Sequence, residues 1–391
     1  MRSLRQINFI DVLIVVVGVG LAAAIRYSML DFKSIDFLQY TKGWYNALKA
    51  GGFSAFSQNF SNYNVPYLYL LYLVIRISPD LPAVIATKVP SMVADFAMAW
   101  LVFRIVRLKY ADSPFPMFAA FAVLFAPTIA LNSAFWGQAD ALYTTALVAC
   151  IYFLLIRQEA LAIIMFGVSL AFKVQGVFLS PLLLALAMRR EVRWRYLLLA
   201  PALMLLALIP AWMAGRSILD LLSIYPSQAG QYGQLSMHAP SIFSWMPDTG
   251  RFYDYFYPAG LLAAAAVALW FAILIYKSKI KITPSLLIEL ATISVMLMPF
   301  LLPKMHERYF YPADVFTILL AFYCPRFFMV PIGMSIISYF TYQPTIFESE
   351  PVSIAVLAVG VLLLLIVLIR DAVLELYAYT PEVSEEVELE T

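Results

Sequence analysis

A short stretch late in the chain, KMHERYFYPAD, gathers charged residues inside apolar sequence. Lys304, His306 and Arg308 supply potential cations close to the start of an apolar segment, and the fork of an arginine fits the oxygens of a phosphate. Glu307 can orient a basic neighbour, and Tyr309 can support the site. We predict that this stretch binds a phosphate. The competing interpretation is that the cations only anchor two helix ends.

Two carboxylates have settings that suit either catalysis or helix capping. Asp36 opens an aromatic segment with helical spacing, SIDFLQYTKGWYN, where it can act as a general base or cap the helix. Asp140 follows Trp136 and Gln138 in FWGQADALY. It is a second catalytic candidate, although the helix dipole also favours an aspartate at a helix start. We expect Trp136 and Gln138 to support the site.

Lys173 and Gln175 interrupt two unusually short apolar segments in AFKVQGVFL. A lysine in this setting either snorkels to an interface or points into a cavity and holds an anion. The short paired segments favour the cavity, so Lys173 joins the phosphate-binding candidates and Gln175 supports it. His238, in QLSMHAPS, is a weaker supporting candidate because a histidine in a loop is usually a surface residue.

Two further carboxylates, Asp95 and Asp314, lie within apolar segments. An ionised carboxylate there costs free energy unless it is paired or faces water. Their partners stay open among Lys88, Lys173 and one another.

The composition defines the broad class of protein. Of 391 residues, 63% are hydrophobic and 13% are charged, and the mean hydropathy is +0.83. These values are typical of an all-α polytopic membrane protein. The net charge of +2 is spread over short basic clusters, without the polybasic face that nucleic acid requires. Cys150 and Cys324 lie in apolar runs and indicate neither a disulfide nor a zinc site.

The apolar runs predict about twelve transmembrane helices. The predicted spans are Phe9–Ile25, Val84–Val106, Phe115–Leu131, Ala141–Ile156, Leu161–Phe172, Val177–Ala187, Tyr196–Ala214, Gly260–Tyr276, Leu286–Leu302, Tyr309–Tyr323, Phe327–Phe340 and Ile354–Ile369.

The segment Val65–Ile77 is apolar but short for a span, and the distribution of basic residues decides its interpretation. If it lies at the outer interface without crossing, the basic clusters all fall on one side. These clusters are Arg2/Arg5, Arg104/Arg107/Lys109, Arg157, Arg189/Arg190/Arg193/Arg195, Lys277/Lys279/Lys281, Arg326 and Arg370. We therefore predict cytoplasmic termini, with the long connections at about 26–83 and 215–259 on the outer face together with the polar candidates.

These motifs, in this order, resemble the GT-C superfamily of integral-membrane glycosyltransferases. The resemblance rests on an aspartate soon after the first span and on YNVPYLYLL, FWGQADALY, FKVQG and KMHERYFYPAD, and covers roughly Asp36 to Asp314. The chain is most similar to prokaryotic mannosyltransferases related to the enzyme that adds the second mannose to glycosylphosphatidylinositol. Two features depart from that pattern. Many relatives have a doubled proline where this chain has Asn64-Val65-Pro66, and a paired acidic motif where Asp36 stands apart from Asp31.

The resemblance implies a single GT-C-like transmembrane domain over residues 1–376, with juxtamembrane helices in the first outer loop, followed by an acidic tail at 377–391. It implies transfer of a sugar, with mannose expected, from a polyprenyl-phosphate carrier in the membrane lipid to a glycan, lipid or protein acceptor. The reaction would take place on the extracytoplasmic side of a prokaryotic cell membrane. The first-loop acidic residue is the usual candidate base in that family, and it maps onto Asp36.

The residues agree with this chemistry. A lipid-linked phosphosugar needs cations for the departing phosphate, a base for the acceptor hydroxyl and an apolar groove for the lipid. The four cationic candidates supply the first, Asp36 the second and the Val65–Ile77 segment part of the third. A single displacement inverts the anomeric centre. No metal cofactor is required, although Asp36 with Asp140 could hold a divalent cation.

Two other classes of protein fit part of the pattern. A transporter or flippase of lipid-linked sugars would share the many spans, the intramembrane charges and a cationic pocket. Transporters tend to show internal repeats and gates on both faces, whereas this chain places its polar groups on one face. A structural membrane subunit is a third interpretation, but it has no need of the cationic cluster.

Overall fold

The computed structural model describes residues 9–230, 233–247 and 251–378, and these are overwhelmingly helical. The predicted all-α polytopic class is confirmed. The α-helices in chain order are α1 Phe9–Tyr27, α2 Lys42–Gly51, α3 Val65–Ile77, α4 Ala83–Ala86, α5 Val89–Lys109, α6 Phe115–Phe125, α7 Pro127–Ala130, α8 Asp140–Leu155, α9 Glu159–Phe172, α10 Ser180–Met188, α11 Trp194–Leu197, α12 Leu199–Leu206, α13 Ile209–Met213, α14 Ile218–Leu222, α15 Ile224–Gly230, α16 Arg251–Lys277, α17 Pro284–Leu301, α18 Tyr311–Tyr323, α19 Met329–Phe347 and α20 Ile354–Leu376. The predicted acidic tail lies outside the described residues, apart from its first two positions.

Tighter and wider helical turns link several of these helices. The π-helical segments are Phe37–Thr41 and Leu131–Trp136, and the 3-10 segments are Gly52–Ser57, Val174–Leu179, Ile242–Trp245, Glu307–Phe310 and Pro325–Phe327. Two short strands, β1 Ser236–Met237 and β2 Met305–His306, pair in parallel, with Ser236 opposite Met305. π-Helical turns are rare in proteins overall, but many of those that occur lie at functional sites. The two π-helical segments therefore point to the surroundings of Phe37–Thr41 and Leu131–Trp136 as a candidate site.

The number of spans is smaller than the sequence pattern predicts. Within the described residues, six helical stretches are long and apolar enough to cross a membrane, or seven if the pair Phe115–Phe125 and Pro127–Trp136, bent by 50°, forms one broken span. Four apolar helical stretches are shorter, and each overlaps a segment discussed above: Val65–Ile77, Asp140–Leu155, Glu159–Phe172 and Val174–Met188. The predicted segments are helical, but the count of about twelve spans is not confirmed.

The first connection contains short helices between α1 and α5. Helix α3 has the bounds Val65–Ile77, and it begins where the Asn64 side chain accepts a hydrogen bond from the backbone N–H of Val65 and where Pro66 fits the first turn. One face of α3, including Tyr67, Leu68 and Leu71, is buried in the core. The apolar length of this helix therefore packs against the protein on that face.

The centre of the bundle is formed by helices that are buried around nearly their whole circumference. In α17 every side chain from Leu286 to Phe300 is buried, and α8 and α18 are nearly as enclosed. A helix without a polar face is stable only when neighbours or lipid surround it. By contrast, α1, α11 to α13 and α16 expose most of their apolar side chains and form the rim.

One intramembrane carboxylate has a partner that the sequence did not suggest. Asp95 Oδ2 accepts hydrogen bonds from Arg26 Nε at 2.8 Å and from Ser133 Oγ at 2.5 Å, and Tyr311 donates to Oδ1 at 3.2 Å. The sequence left Lys88, Lys173 and Asp314 as choices for Asp95, and all three are wrong because Arg26 is the ion-pair partner. A buried charge needs this degree of pairing.

Lys88 and Asp314 are also buried, and neither pairs with Asp95. Lys88 Nζ donates to the carbonyls of Met29, Leu30 and Phe32, at distances from 2.9 to 3.1 Å, and so closes the end of α1. Asp314 is buried in α18. Neither residue belongs to the cavity described below.

Candidate active site

A cavity of about 280 Å³ lies where the first connection, the α9–α10 junction and the α17–α18 junction meet. Its lining combines cationic and apolar side chains. Lys173, Lys304, His306 and Arg308 line it together with apolar residues that include Phe172, Val174, Leu261 and Leu302. A lining of both kinds suits a ligand with an anionic head and a hydrocarbon tail.

Asp36 is held beside this cavity by two hydrogen-bond donors on a single oxygen. The indole Nε1 of Trp136 donates to Asp36 Oδ2 at 2.9 Å, and the amide nitrogen of Gln138 donates to the same oxygen. Asp36 directly precedes one π-helical segment, and Trp136 ends the other. After Trp136, Gly137 has a left-handed φ of 82°, which turns the chain so that Gln138 also reaches Asp36.

The amide of Gln138 connects Asp36 to the cavity wall. Its oxygen accepts a hydrogen bond of 3.3 Å from the hydroxyl of Tyr63, whose ring lies 5.3 Å from the Lys173 ammonium. Gln138 is buried, so both ends of its amide are satisfied by protein. Asp36, Gln138, Tyr63 and Lys173 therefore form one continuous polar chain.

Asp140 lies at the start of α8 and is completely buried. Its Oδ1 is 2.6 Å from Lys173 Nζ, and its Oδ2 accepts a hydrogen bond of 3.0 Å from Asn132. Arg308 Nε is 3.9 Å from the same Oδ2. Because Asp140 is enclosed and paired, its role is to position the two cations. Asp36 is only half-buried, so it is the carboxylate that a substrate can reach.

Arg308 lies between two aromatic faces. Its guanidinium carbon is 5.4 Å from the centre of the Trp136 ring and 5.6 Å from that of Tyr309. Nη1 is 3.3 Å from Glu307 Oε1. Burial alone would lower the pKa of Arg308, but the nearby groups Glu307, Tyr309, Asp36 and Tyr63 together outweigh it and raise that pKa well above its ordinary value. Arg308 is therefore a permanent cation at the cavity wall.

His306 differs from Arg308 in its charge. Burial lowers the pKa of His306, and the adjacent Arg308 charge lowers it further, although Glu307 opposes both. Burial tends to raise the pKa of Glu307, but the hydrogen bond with His306 and the charge of Arg308 bring it below the usual value. At neutral pH, His306 is thus a neutral imidazole beside an ionised Glu307.

Lys304 lines the cavity next to α16. Its ammonium lies 4.6 Å from the ring centre of Tyr257 and 5.4 Å from that of Tyr253, both on α16. The residue has a left-handed φ of 62°, and its N–H donates to the Leu235 carbonyl at 2.7 Å. This backbone geometry directs Lys304 towards α16 and connects β2 to the β1 segment.

The structure brings together most of the residues that the sequence predicted. Lys173, Gln175, Lys304, His306, Arg308 and Tyr309 line the cavity, and Trp136, Gln138, Asp140 and Glu307 contact its lining residues. Asp36 is bonded to two of these contacting residues, Trp136 and Gln138. His238 does not line it. Its backbone bridges to that of His306, but its side chain is exposed, with Nδ1 3.4 Å from the Thr345 hydroxyl.

Sequence reasoning missed Tyr63 and Asn132. Tyr63 connects Gln138 to Lys173, and Asn132 donates to Asp140. The polar run Asn62-Tyr63-Asn64 just before an apolar helix was a usable signal for Tyr63. Asn132 lies in a bent apolar segment, where the sequence has no feature that distinguishes it from a structural amide.

A divalent cation shared by Asp36 and Asp140 meets an electrostatic obstacle. Asp140 already pairs with Lys173 and faces Arg308, so a metal ion there would lie beside two positive charges. The described carboxylates that do converge are Glu289, Asp371 and Glu375, at the far ends of α17 and α20. All three carboxylates already pair with Arg326. They do not line the cavity.

Comparison with solved structures gives the fold. Two crystal structures of ArnT from Cupriavidus metallidurans match the chain, one bound to undecaprenyl phosphate and one in the apo state. Their TM-scores are 0.55 and 0.51, both at 14% sequence identity. Each match covers 93% of this chain and 77% of the ArnT chain.

The chain shares the ArnT fold. No family model matches this sequence, and no curated protein does. The likeness to ArnT is one of fold at low identity, and it includes no evidence for the mannosyltransferase subfamily.

Proposed function

We propose that the protein is a polyprenyl-phosphate-sugar-dependent glycosyltransferase. The observation that carries the proposal is a half-buried carboxylate, Asp36, which is connected through Gln138 and Tyr63 to a cavity lined by cationic and apolar side chains. The shared fold with ArnT, one of whose structures contains undecaprenyl phosphate, supports this assignment. Sequence resemblance to GT-C enzymes points to the same reaction.

The proposed reaction is a single displacement at the anomeric carbon of the donor. The oxygen of an acceptor hydroxyl forms the new bond to this carbon, and the bond to the phosphate oxygen breaks. Asp36 takes the hydroxyl proton, and the polyprenyl phosphate leaves with the bonding electron pair. This displacement inverts the anomeric centre.

The cations contribute where negative charge develops on the leaving phosphate. Arg308 offers a fork of N–H donors at fixed orientation, and Lys173 offers an ammonium 2.6 Å from Asp140. Lys304 adds a third cation in the lining, while His306 acts as a neutral donor or acceptor. The apolar residues of the lining would receive the first isoprene units of the carrier.

The proposal also specifies which sugar is transferred and on which face of the membrane the site lies. Mannose is proposed from the sequence resemblance alone. The extracytoplasmic position of the site is proposed from the basic clusters, since they would then lie in the cytoplasm.

The test is incubation of purified protein with radiolabelled polyprenyl-phosphate mannose, glucose and arabinose, each with a membrane extract as acceptor source. Consumption of one donor with appearance of label in a product supports the proposal. Movement of intact labelled lipid across a proteoliposome bilayer without consumption would instead indicate a transporter or flippase.

A further inference from the structure

A second cavity, of about 460 Å³, adjoins the cationic cavity and shares Asn62 with its lining. We propose that this second cavity, here called the aromatic cleft, binds the acceptor, and that the acceptor is a carbohydrate. The inference rests on the proposed glycosyltransferase function. Among the glycan, lipid and protein acceptors that the sequence left open, it selects the glycan. Its walls come from the first connection and from α14 and α15.

The aromatic cleft adjoins the candidate base. Gln39 and Tyr40 line it and follow Asp36 by about one turn, within the π-helical segment Phe37–Thr41. Asn62 lines both cavities, and the ring of its neighbour Tyr63 packs at 4.8 Å from that of Trp44. A ligand in the aromatic cleft would therefore lie close to Asp36. Only the short stretch of chain around Asn62 and Tyr63 would separate it from the cationic cavity.

The lining of the aromatic cleft combines ring surfaces with small polar groups. Tyr40, Trp44 and Phe60 provide the rings, and Gln39, Asn59 and Asp220 provide amides and a carboxylate. Sugars present apolar C–H faces that pack on rings, and hydroxyls that both donate and accept hydrogen bonds. Amide groups, which have a donor and an acceptor on one side chain, match hydroxyls in either role.

One of these polar groups is oriented by a buried cation. Arg216, which is buried, donates from Nη2 to Asn59 Oδ1 at 2.7 Å. This contact occupies the amide oxygen and orients the amide nitrogen, which can then donate to a ligand. Gln39 and Asp220 are exposed at the edge and make no side-chain hydrogen bond to the described protein.

The same lining is less suited to the other acceptor classes. A lipid acceptor would require a continuous apolar groove, but polar side chains alternate with the rings here. An extended peptide commonly pairs with a strand edge, and the described walls of the aromatic cleft are helices and loops. These differences favour carbohydrate.

A glycine in the wall allows the cleft to be filled without disturbing the fold. Gly43 lines the aromatic cleft on α2, and a Cβ built there meets no other atom within 4 Å. Gly43→Trp should therefore place a large ring in the cleft. Gly20, on α1, has equally open space, and Gly20→Trp is the matched control far from both cavities.

The experiment measures glycan binding separately from donor consumption. Saturation-transfer NMR on detergent-solubilised protein is recorded with free mannotriose, with octyl mannotrioside as the lipid-borne form and with a serine- and threonine-rich peptide. We expect a mannotriose signal in the wild type and in Gly20→Trp, and at least a tenfold loss of affinity in Gly43→Trp. Both Trp variants should keep the wild-type affinity for undecaprenyl phosphate and the wild-type melting temperature.

The outcomes separate this inference from the proposed reaction. Equal glycan binding by Gly43→Trp and Gly20→Trp overturns the assignment of the cleft, and binding of the peptide without either glycan overturns the assignment of carbohydrate. A preference for octyl mannotrioside, lost in Gly43→Trp, supports a lipid-borne glycan. Glycan binding without consumption of any polyprenyl-phosphate sugar would count against the proposed function and leave the carbohydrate cleft supported.

Discussion

The indole N–H of Trp136 donates to Oδ2 of Asp36 at 2.9 Å, although the two residues are 100 positions apart. The same ring lies against the guanidinium of Arg308 at 5.4 Å. Trp136 therefore holds the candidate base and the candidate phosphate clamp at a fixed separation. Gln138 donates to the same oxygen of Asp36, which leaves Oδ1 to receive a proton.

Trp136→Phe tests this coupling because phenylalanine keeps a ring beside Arg308 and removes the indole N–H. A hydrogen bond to a charged group is worth about 1.5–3 kcal/mol, so we expect turnover to fall about 10- to 100-fold. Undecaprenyl phosphate affinity should change little, because a ring stays beside Arg308. Trp245→Phe is the control, since it removes an indole hydrogen bond to the Ala355 carbonyl outside the cavity.

Asp36→Asn should reduce turnover about 100-fold or more while donor affinity stays near the wild-type value. The amide oxygen can still accept from Trp136 and Gln138, but an amide cannot take the acceptor proton. Steady-state kinetics and undecaprenyl phosphate binding give the two quantities. Asp31→Asn, at an exposed neighbouring carboxylate, should behave as wild type. Near-normal turnover in Asp36→Asn would move the role of base to Asp140 or end the carboxylate mechanism.

Arg308→Lys should be poorly tolerated even though the positive charge is retained. Lysine is a point donor, and it lacks both the fork for two phosphate oxygens and the flat face that lies between Trp136 and Tyr309. We expect about a tenfold or greater loss of affinity for undecaprenyl phosphate. Arg193→Lys, at a solvent-exposed arginine, is the control. Equal affinities in wild type, Arg308→Lys and Arg308→Ala would defeat the phosphate-site hypothesis.

His306 should make the folded protein less stable as the pH falls. Its pKa is lowered in the fold, so the unfolded chain binds the proton more tightly, and stability increases with pH in that range. The contribution is fully present above about 6.5, the usual histidine pKa, and is lost as the pH falls below it. The melting temperature of His306→Asn should therefore depend less on pH between about 5 and 7.

His238→Asn is the matched control for this measurement, because His238 has an exposed side chain outside the cavity. Its melting profile should follow the wild type. Parallel profiles for wild type and His306→Asn would show that the Arg308 charge and burial do not act on His306. A milder loss of donor affinity is expected for His306→Asn than for Arg308→Ala, since the imidazole is neutral at pH 7.

The topology can be read from cysteine labelling in a Cys150→Ala, Cys324→Ala background. Ser78→Cys follows α3, and Ala111→Cys follows α5; both positions are exposed. If Val65–Ile77 does not cross, Ser78→Cys should react from the outer side and Ala111→Cys from the cytoplasmic side. Labelling of Ser78→Cys from the cytoplasmic side alone would contradict the predicted topology.

The helices were predictable because their signal is local. Apolar runs determine where a chain in a membrane can form helix, so the segment Val65–Ile77 could be predicted with its observed bounds. The number of spans was not predictable in this way. It depends on how helices bend and pack, as in the 50° break after Phe125.

The chemical types of the site residues were also visible in the sequence. Charged and amide side chains within apolar segments are costly, so Lys173, Gln138 and Arg308 stood out as functional candidates. Their placement around one cavity fits that expectation.

Only the tertiary structure decided which groups pair. The Asp95 carboxylate could have met any of several cations, and its pairing with Arg26 depends on the tertiary packing that brings the end of α1 to Asp95, which no local pattern encodes. Likewise, Asp140 and Asp36 are both acidic residues near helix starts, but Asp140 is enclosed by Lys173 and Asn132 while Asp36 keeps one oxygen open. Partners far apart in sequence are selected by the approach of whole helices, and the roles of the two carboxylates follow from that approach.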